Sequence, residues 1–364
     1  MKNIILIAFA GLLAVTISSC SKSKGPTPGP PGGGGYTKVL VGGTALLSEA
    51  RSNMAAGGFG ARVLFAGGSA DNGVTFSKAV DVFNVSTGIV SSAQLSVARY
   101  MLAGAGGGGK IVFAGGYNGS YSKVVDIYDV YNGGWAAAQL SEARSGLAAA
   151  ALGNTIIFAG GKTAAGVSKT VDIYDALANK WTTASLSVAR TGLAAAAADT
   201  KILFAGGTDN NGQALKTVDI YDTATGTWSV GSLSTEKANF AGASAGDKII
   251  FGGGDTNTGG RVSTADVYDA KTNTWTTSQL SEGREQLAAA GIPNKILFAG
   301  GFHGPAASTT VDIYDIVSGT WTTLNLSSGR SLLAGAGVGN TIFFAGGRDA
   351  NGASKTVDYF ILTP

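Results

Sequence analysis

One cysteine and one histidine occur in 364 residues. That excludes a disulfide framework, a Cys/His zinc site and any catalytic arrangement built on two histidines. Charged residues are only 13% of the chain, about half the usual ~25%. The formal charge of +3 implies no polyanionic partner. No basic stripe interleaved with aromatics is present, so nucleic-acid binding is not expected. Prolines number seven, four of them within residues 21–35, which leaves only three strand breakers in the remainder. What is abundant is glycine, 57 residues without the every-third-residue period of collagen, and an apolar fraction of 45% that suffices for a core.

The first segment reads as an address. Lys2 precedes an apolar run from Ile4 to Ile17, followed by Ser18, Ser19 and Cys20, the pattern of a secretory signal over 1–19. Its ending, Ile17-Ser18-Ser19-Cys20, resembles the bacterial lipoprotein box. The resemblance implies that Cys20 becomes the first mature residue and carries acyl chains, several of which hold a domain stably on a membrane. Residues 20–36 then form a Pro/Gly-rich tether. Ser21 follows the cysteine with no acidic residue close behind. By resemblance to lipoprotein sorting this implies the outer membrane of a Gram-negative envelope, with the periplasmic or surface side left open.

The rest of the chain, 37–364, repeats. A Gly pair recurs at Gly67-Gly68, Gly115-Gly116, Gly160-Gly161, Gly206-Gly207, Gly253-Gly254, Gly300-Gly301 and Gly346-Gly347. After each pair comes an aspartate (Asp81, Asp126, Asp172, Asp219, Asp266, Asp312, Asp358), then an aromatic two residues on. All five tryptophans (Trp135, Trp181, Trp228, Trp275, Trp321) follow seven residues after that aromatic, and Val90 takes the place in the first unit. A period of this size marks a repeat architecture and outranks local propensity. Leu193 to Ala198 has the composition of a helix nucleus, yet equivalent segments such as Leu102-Ala-Gly-Ala-Gly-Gly-Gly do not. Each unit therefore reads as four strands, the fourth unit over 192–198, 201–206, 216–223 and 227–233, with small residues on the crowded innermost strand.

The pattern resembles the kelch repeat, which implies an all-β fold: a seven-bladed β-propeller of four-stranded antiparallel blades. The seventh unit stops at Pro364 after three strands. Thr44 to Arg51 aligns with Thr183 to Arg190, so the N-terminal stretch is expected to supply the missing outer strand of the last blade and close the ring.

Candidate binding residues sit in two kinds of loop. The connections between second and third strands vary most, and variable loops on a uniform scaffold usually carry binding; their aromatics Phe76, Tyr117, Tyr121 and Phe302 are candidates. The blade-to-blade connections each carry one cation: Arg51, Arg99, Arg144, Arg190, Lys237, Arg284 and Arg330. By topology these form a ring of cations at one mouth of the channel. Seven copies of one residue favour a repeated inter-blade hydrogen bond, while a subset could hold an acidic ligand, since guanidinium pairs bidentately with carboxylate. The residues named for ligand contact are Arg99, Arg144, Arg284, Arg330, Tyr117, Tyr121 and Phe302.

No cofactor or metal is expected. Galactose oxidase has kelch-type blades, but its copper site needs two histidines and a Cys-linked tyrosine; here only His303 is present, in a variable loop. The functional expectation is a monomeric, membrane-anchored binding or scaffold module for a protein or glycan ligand, anionic ligands included. The alternative is a sugar-processing enzyme such as a sialate mutarotase-like kelch protein, with Glu142 or Glu282 as acid or base. The non-catalytic reading is preferred because those glutamates recur at the cation slot.

Overall fold

The computed structural model describes residues 40–362 together with Ile5–Leu6, a two-residue strand paired with Val90 and Ile89. Cys20, the tether over 20–36 and the remainder of the signal segment lie outside the described residues. Among the described residues there are strands and turns only, and no helix long and apolar enough to cross a membrane.

Seven four-stranded antiparallel sheets follow one another in chain order. The fourth runs Ala194–Ala198, Lys201–Ala205, Thr217–Asp222 and Thr227–Ser232. Ala194–Ala198 is therefore a strand, paired with Lys201–Ala205 from Ala194↔Ala205 to Ala198↔Lys201. Tertiary crowding overrides helix propensity here, because alanine is among the few side chains small enough for the axis.

Burial changes from strand to strand as the blades diverge. Innermost strands alternate buried and half-buried residues around a narrow central channel of ≈ 240 Å³. Second strands such as Lys201–Ala205 are buried at four successive positions, since neighbouring blades cover both faces. Outer strands are mostly exposed, and there the tryptophans fill the widening gaps. Tyr174 and Trp181 lie opposite each other with ring centroids 4.7 Å apart and pack against Val112, Val125 and Leu140 of the preceding blade. Seven such apolar clusters, one per blade junction, make up the core. Two junctions lack a tryptophan, those on either side of the last blade; at the one with the first blade, Phe83 opposite Val90 meets Phe343 at 5.4 Å.

The last blade is built from both ends of the chain. Leu40–Leu46 pairs with Thr356–Leu362 along its whole length, from Leu40↔Leu362 to Leu46↔Thr356. The expected closure by the N-terminal strand is what the fold uses.

The Gly pairs are required by geometry. Gly67 and Gly68 have φ of +67° and +104°, a region that favours glycine. A Cβ on Gly67 would lie 2.5 Å from the Arg99 carbonyl oxygen, and Gly68 N–H donates to that same oxygen at 2.9 Å. The pair thus lets the incoming connection of the next blade lie against the sheet.

A second repeated aspartate, three residues after the first, ends the third strand of the second to sixth blades, with Asn84 in its place in the first. Asp269 accepts N–H bonds from Lys271 and Thr272 at 3.0 Å and pairs with Lys248, closing the outer hairpin as an Asx turn. The Lys248 hydrogen bond, followed by the Thr272 N–H, holds its carboxyl at a pKa of about 2. The folded value lies below the ordinary one near ~3.9, so the contribution to stability is present above about pH 4 and lost as pH falls towards 2. The side chain lies at the surface, 22% accessible, so solvent screening keeps the effect small. Asp269→Asn is expected to melt slightly lower than the parent at neutral pH, with the difference vanishing near pH 2; a pH-independent difference would refute this.

Candidate functional site

In each blade the connection between second and third strands and the connection to the next blade emerge on one face, here termed the loop face. The hairpins occupy the opposite face. The repeated cations approach from the loop face but do not reach it. Arg51, Arg99, Arg144, Arg190, Lys237, Arg284 and Arg330 are all fully buried, at 0% exposure. Each inserts between the second and third strands of a blade and pairs with the repeated aspartate. The distances are 2.7 Å for Arg99–Asp126, 2.6 Å for Arg190–Asp219 and 2.7 Å for Lys237–Asp266. Arg51–Asp81, Arg144–Asp172, Arg284–Asp312 and Arg330–Asp358 pair in the same way.

The other oxygen of each aspartate serves the blade junction. It accepts the backbone N–H of Ser48, Ser96, Ser141, Ser187, Ser234, Ser281 or Ser327 at 2.8–2.9 Å, where the chain arrives from the preceding outer strand. The cations also cap backbone carbonyls: Lys237 Nζ donates to Phe251 O at 3.2 Å and Thr264 O at 3.1 Å. Burial pushes the Lys237 ammonium and the arginine guanidinium groups below their ordinary pKa, against the opposing pull of the paired aspartates.

This corrects the ligand-contact expectation for Arg99, Arg144, Arg284 and Arg330. Their guanidinium groups face a buried carboxylate and strand carbonyls inside the blade, not the channel mouth. The sequence shows a cation slot; it does not show the depth at which the side chain ends.

The mouth itself is lined by the residues two positions further on. Asn53, Met101, Gly146, Gly192, Asn239, Gln286 and Leu332 all have φ between +53° and +65°. Each N–H donates to the carbonyl of its counterpart in the preceding blade, from Asn53 N–H to Leu332 O through to Leu332 N–H to Gln286 O, at 2.7–3.4 Å. The result is a closed head-to-tail ring of seven backbone hydrogen bonds around a funnel of ≈ 330 Å³. Non-glycine residues in this region are uncommon, and here five of the seven are non-glycine. Sequence reasoning missed the ring because its members share a backbone conformation and no side chain.

The aromatic candidates fall in two separate places. Tyr117 and Tyr121, with ring centroids 5.4 Å apart, join Tyr100 and Phe76 in a cluster on the first and second blades. Tyr117 and Tyr121 edge a depression of ≈ 590 Å³ that also includes Glu142 and Thr163. Phe302 lies on the sixth blade. Its ring carries the Arg261 guanidinium at 5.0 Å, and Arg261 is held by Glu285 at 2.7 Å. Phe302 also borders a cavity of ≈ 470 Å³ with Pro305, Ser328, Ser331, Arg348 and Asp349.

Arg348 is the residue the sequence reading did not single out. Its Nη1 is buried with no hydrogen-bond partner, and Arg348 forms no ion pair with the described residues. The available signal was its exclusion from the repeat. Six of nine arginines fill the cation slot; Arg62, Arg261 and Arg348 do not.

The glutamates are tied into loop packing. Glu142 accepts from Ser168 Oγ at 2.5 Å, Glu49 from Ser77 and Glu282 from Ser308, linking the two loop types of a blade. His303 Nε2 lies 3.2 Å from Glu282, so it is half-exposed and partnered. Burial acts to raise the Glu282 carboxyl, but hydrogen bonds from Ser308 and Thr310 and the charge of Arg284 outweigh it and hold the group below its ordinary value.

Fold and repeat together define a β-propeller of seven blades. Residues 192–363, the last four blades, match the family model of the KLHDC2/KLHL20/DRC7 Kelch-repeats domain. The solved structure of YjhT is similar in fold, with a TM-score of 0.58 and 19% identity over 73% of this chain and 94% of that one. No curated protein sequence matches the chain. Because 829 solved chains match this one, likeness of fold selects no function by itself.

Proposed function

We propose that this chain is a lipid-anchored, non-catalytic binding module of the cell envelope whose loop face captures a carboxylate-bearing ligand between the sixth and seventh blades. Arg348 supports this reading most: it lines the cavity beside Phe302 and forms no ion pair with the described residues. A guanidinium at such a place can pair bidentately with a carboxylate. Ser328 and Ser331 border the same space and can complete the second oxygen's hydrogen bonds, while Phe302 and Pro305 offer apolar surface to the rest of the ligand. The Tyr117–Tyr121 platform, on the second blade, lies two to three blades away around the ring and serves an extended ligand or a second contact.

An enzymatic role for Glu282 would need a carboxyl held protonated near neutral pH. Its environment acts in the opposite direction, which weighs for binding over acid catalysis.

The test is an array of peptides and glycans, each present in carboxylate and matched carboxamide form, probed with the parent domain and with Arg348→Ala. The expected result is capture of carboxylate forms only, lost ~10- to 100-fold in Arg348→Ala as a charged hydrogen-bond pair of ~1.5–3 kcal/mol disappears, with an unchanged melting temperature. Equal capture of carboxamides, or by the variant, would remove Arg348 from the site. Whether the captured members are peptides or glycans identifies the ligand class.

A further inference from the structure

The ends of the described chain decide which way such a module faces. Leu40 pairs with Leu362 and Leu46 with Thr356. Thr356 begins its strand directly after a loop-face connection, so Leu40 lies at the hairpin face. The chain therefore enters the propeller on the side opposite the variable loops. About twenty residues separate Cys20 from Leu40. A chain of that length reaches at most roughly 70 Å when fully extended, but its root-mean-square span is about 25 Å. Strands of five or six residues make the disc itself roughly 17–20 Å thick. An anchor at Cys20 thus holds the hairpin face close to the bilayer, whereas bringing the loop face down would need a stretched tether running past the rim.

The hairpin face carries a matching chemistry. Among the most exposed large apolar side chains are Tyr131 at 81%, Leu177 at 79% and Val317 at 79%. Each sits at the same place, two residues after the Asx-turn aspartate Asp129, Asp175 or Asp315, whose carboxylate accepts its N–H. They belong to the second, third and sixth blades, on both sides of the seventh blade where the chain enters, so they span the face as three points of contact. Four lysines of this face are paired, Lys110–Asp129, Lys201–Asp222, Lys248–Asp269 and Lys295–Asp315, and Arg62, Lys180 and Lys271 are balanced in number by Asp175, Asp199 and Asp247, so the face offers no strong basic field to anionic lipid.

We infer that the hairpin face rests on a lipid surface through the tips Tyr131, Leu177 and Val317, with the loop face and its cavities directed away from the membrane. This rests on the lipid-anchored reading above. The occupant is the acyl-headgroup boundary of the bilayer that holds the anchor, and the contact is apolar, not electrostatic.

The experiment uses the mature chain coupled through Cys20, its only thiol, to maleimide lipid in phosphatidylcholine vesicles with and without brominated acyl chains. Two variants each add one tryptophan: Leu177→Trp on the hairpin face, and Val74→Trp at an exposed apolar position of the loop face. The expected result is loss of the added Leu177→Trp emission in brominated vesicles, while the added Val74→Trp emission persists. Equal quenching of both, quenching of neither, or preferential quenching of Val74→Trp would overturn the orientation. Acyl labelling of Cys20 in cells tests the anchor separately. Absence of label there would refute the anchored reading, while the coupled vesicles still report the docking geometry on their own.

Discussion

A chain lacking residues 37–47 is expected to lose most of its stability and to aggregate, although it loses only one outer strand. Leu40–Leu46 supplies the whole outer edge of the seventh blade, and Leu47 N–H adds a bond to Lys355 O at 2.7 Å. Ala45 and Leu47 are buried in the cluster joining the seventh blade to the first. A ladder of this length, at ~0.5–1.5 kcal/mol net per bond, with the burial of Leu47 at ~1.5–3 kcal/mol, comes to about 5 kcal/mol or more. That approaches the whole stability of an ordinary domain, ~5–15 kcal/mol. The strand Thr356–Leu362 would then present an unpaired, partly apolar edge, a template for association. Urea denaturation with light scattering checks both effects. An unchanged midpoint and a monodisperse truncated chain would show that the N-terminal strand is dispensable for closure.

The second large effect concerns the buried ion pairs. Arg144→Ala is expected to cost ~3–5 kcal/mol, because Asp172 is left charged and buried without its partner. Arg284→Ala, which strands Asp312, should cost a similar amount. Removing both partners, Arg144→Met with Asp172→Leu, should be much milder than either single change, though Ser141 N–H then loses its acceptor. Arg190→Lys should be tolerated within ~1 kcal/mol, since Lys237 already performs the same task in the fifth blade. Denaturation midpoints of these variants decide the matter. A variant that kept parental stability yet lost carboxylate binding would return the ring to a ligand-contact role.

Much of the fold was legible because repeated side chains answer repeated physical demands. The Gly pair recurs because every blade needs two positive-φ residues where the next connection passes within contact of the backbone. The tryptophan recurs because each pair of diverging sheets leaves the same gap, and Val90 stands where Phe83 and Phe343 fill it instead. Tyr117, Tyr121 and Phe302 were found from composition alone, as aromatics in loops that vary. Their division between two cavities was not, since loops four blades apart along the chain give no sign of which cavity each borders.

By itself, the sequence determined the all-β repeat, its seven units, the junction of the two chain ends and the presence of one cation and one aspartate per unit. Each of these is written as a residue type at a fixed spacing, and spacing is visible along a chain. Only the tertiary structure decided that those cations end in the blade interior, 0% exposed, because depth depends on how neighbouring sheets pack over a side chain. It also decided the ring from Asn53 to Leu332, whose members agree in φ and hydrogen bonding while differing in side chain. Arg348 is the converse case: it breaks the repeat, so periodicity is silent about it. Its buried, unpartnered Nη1 arises from the way the loops of the sixth and seventh blades close around it.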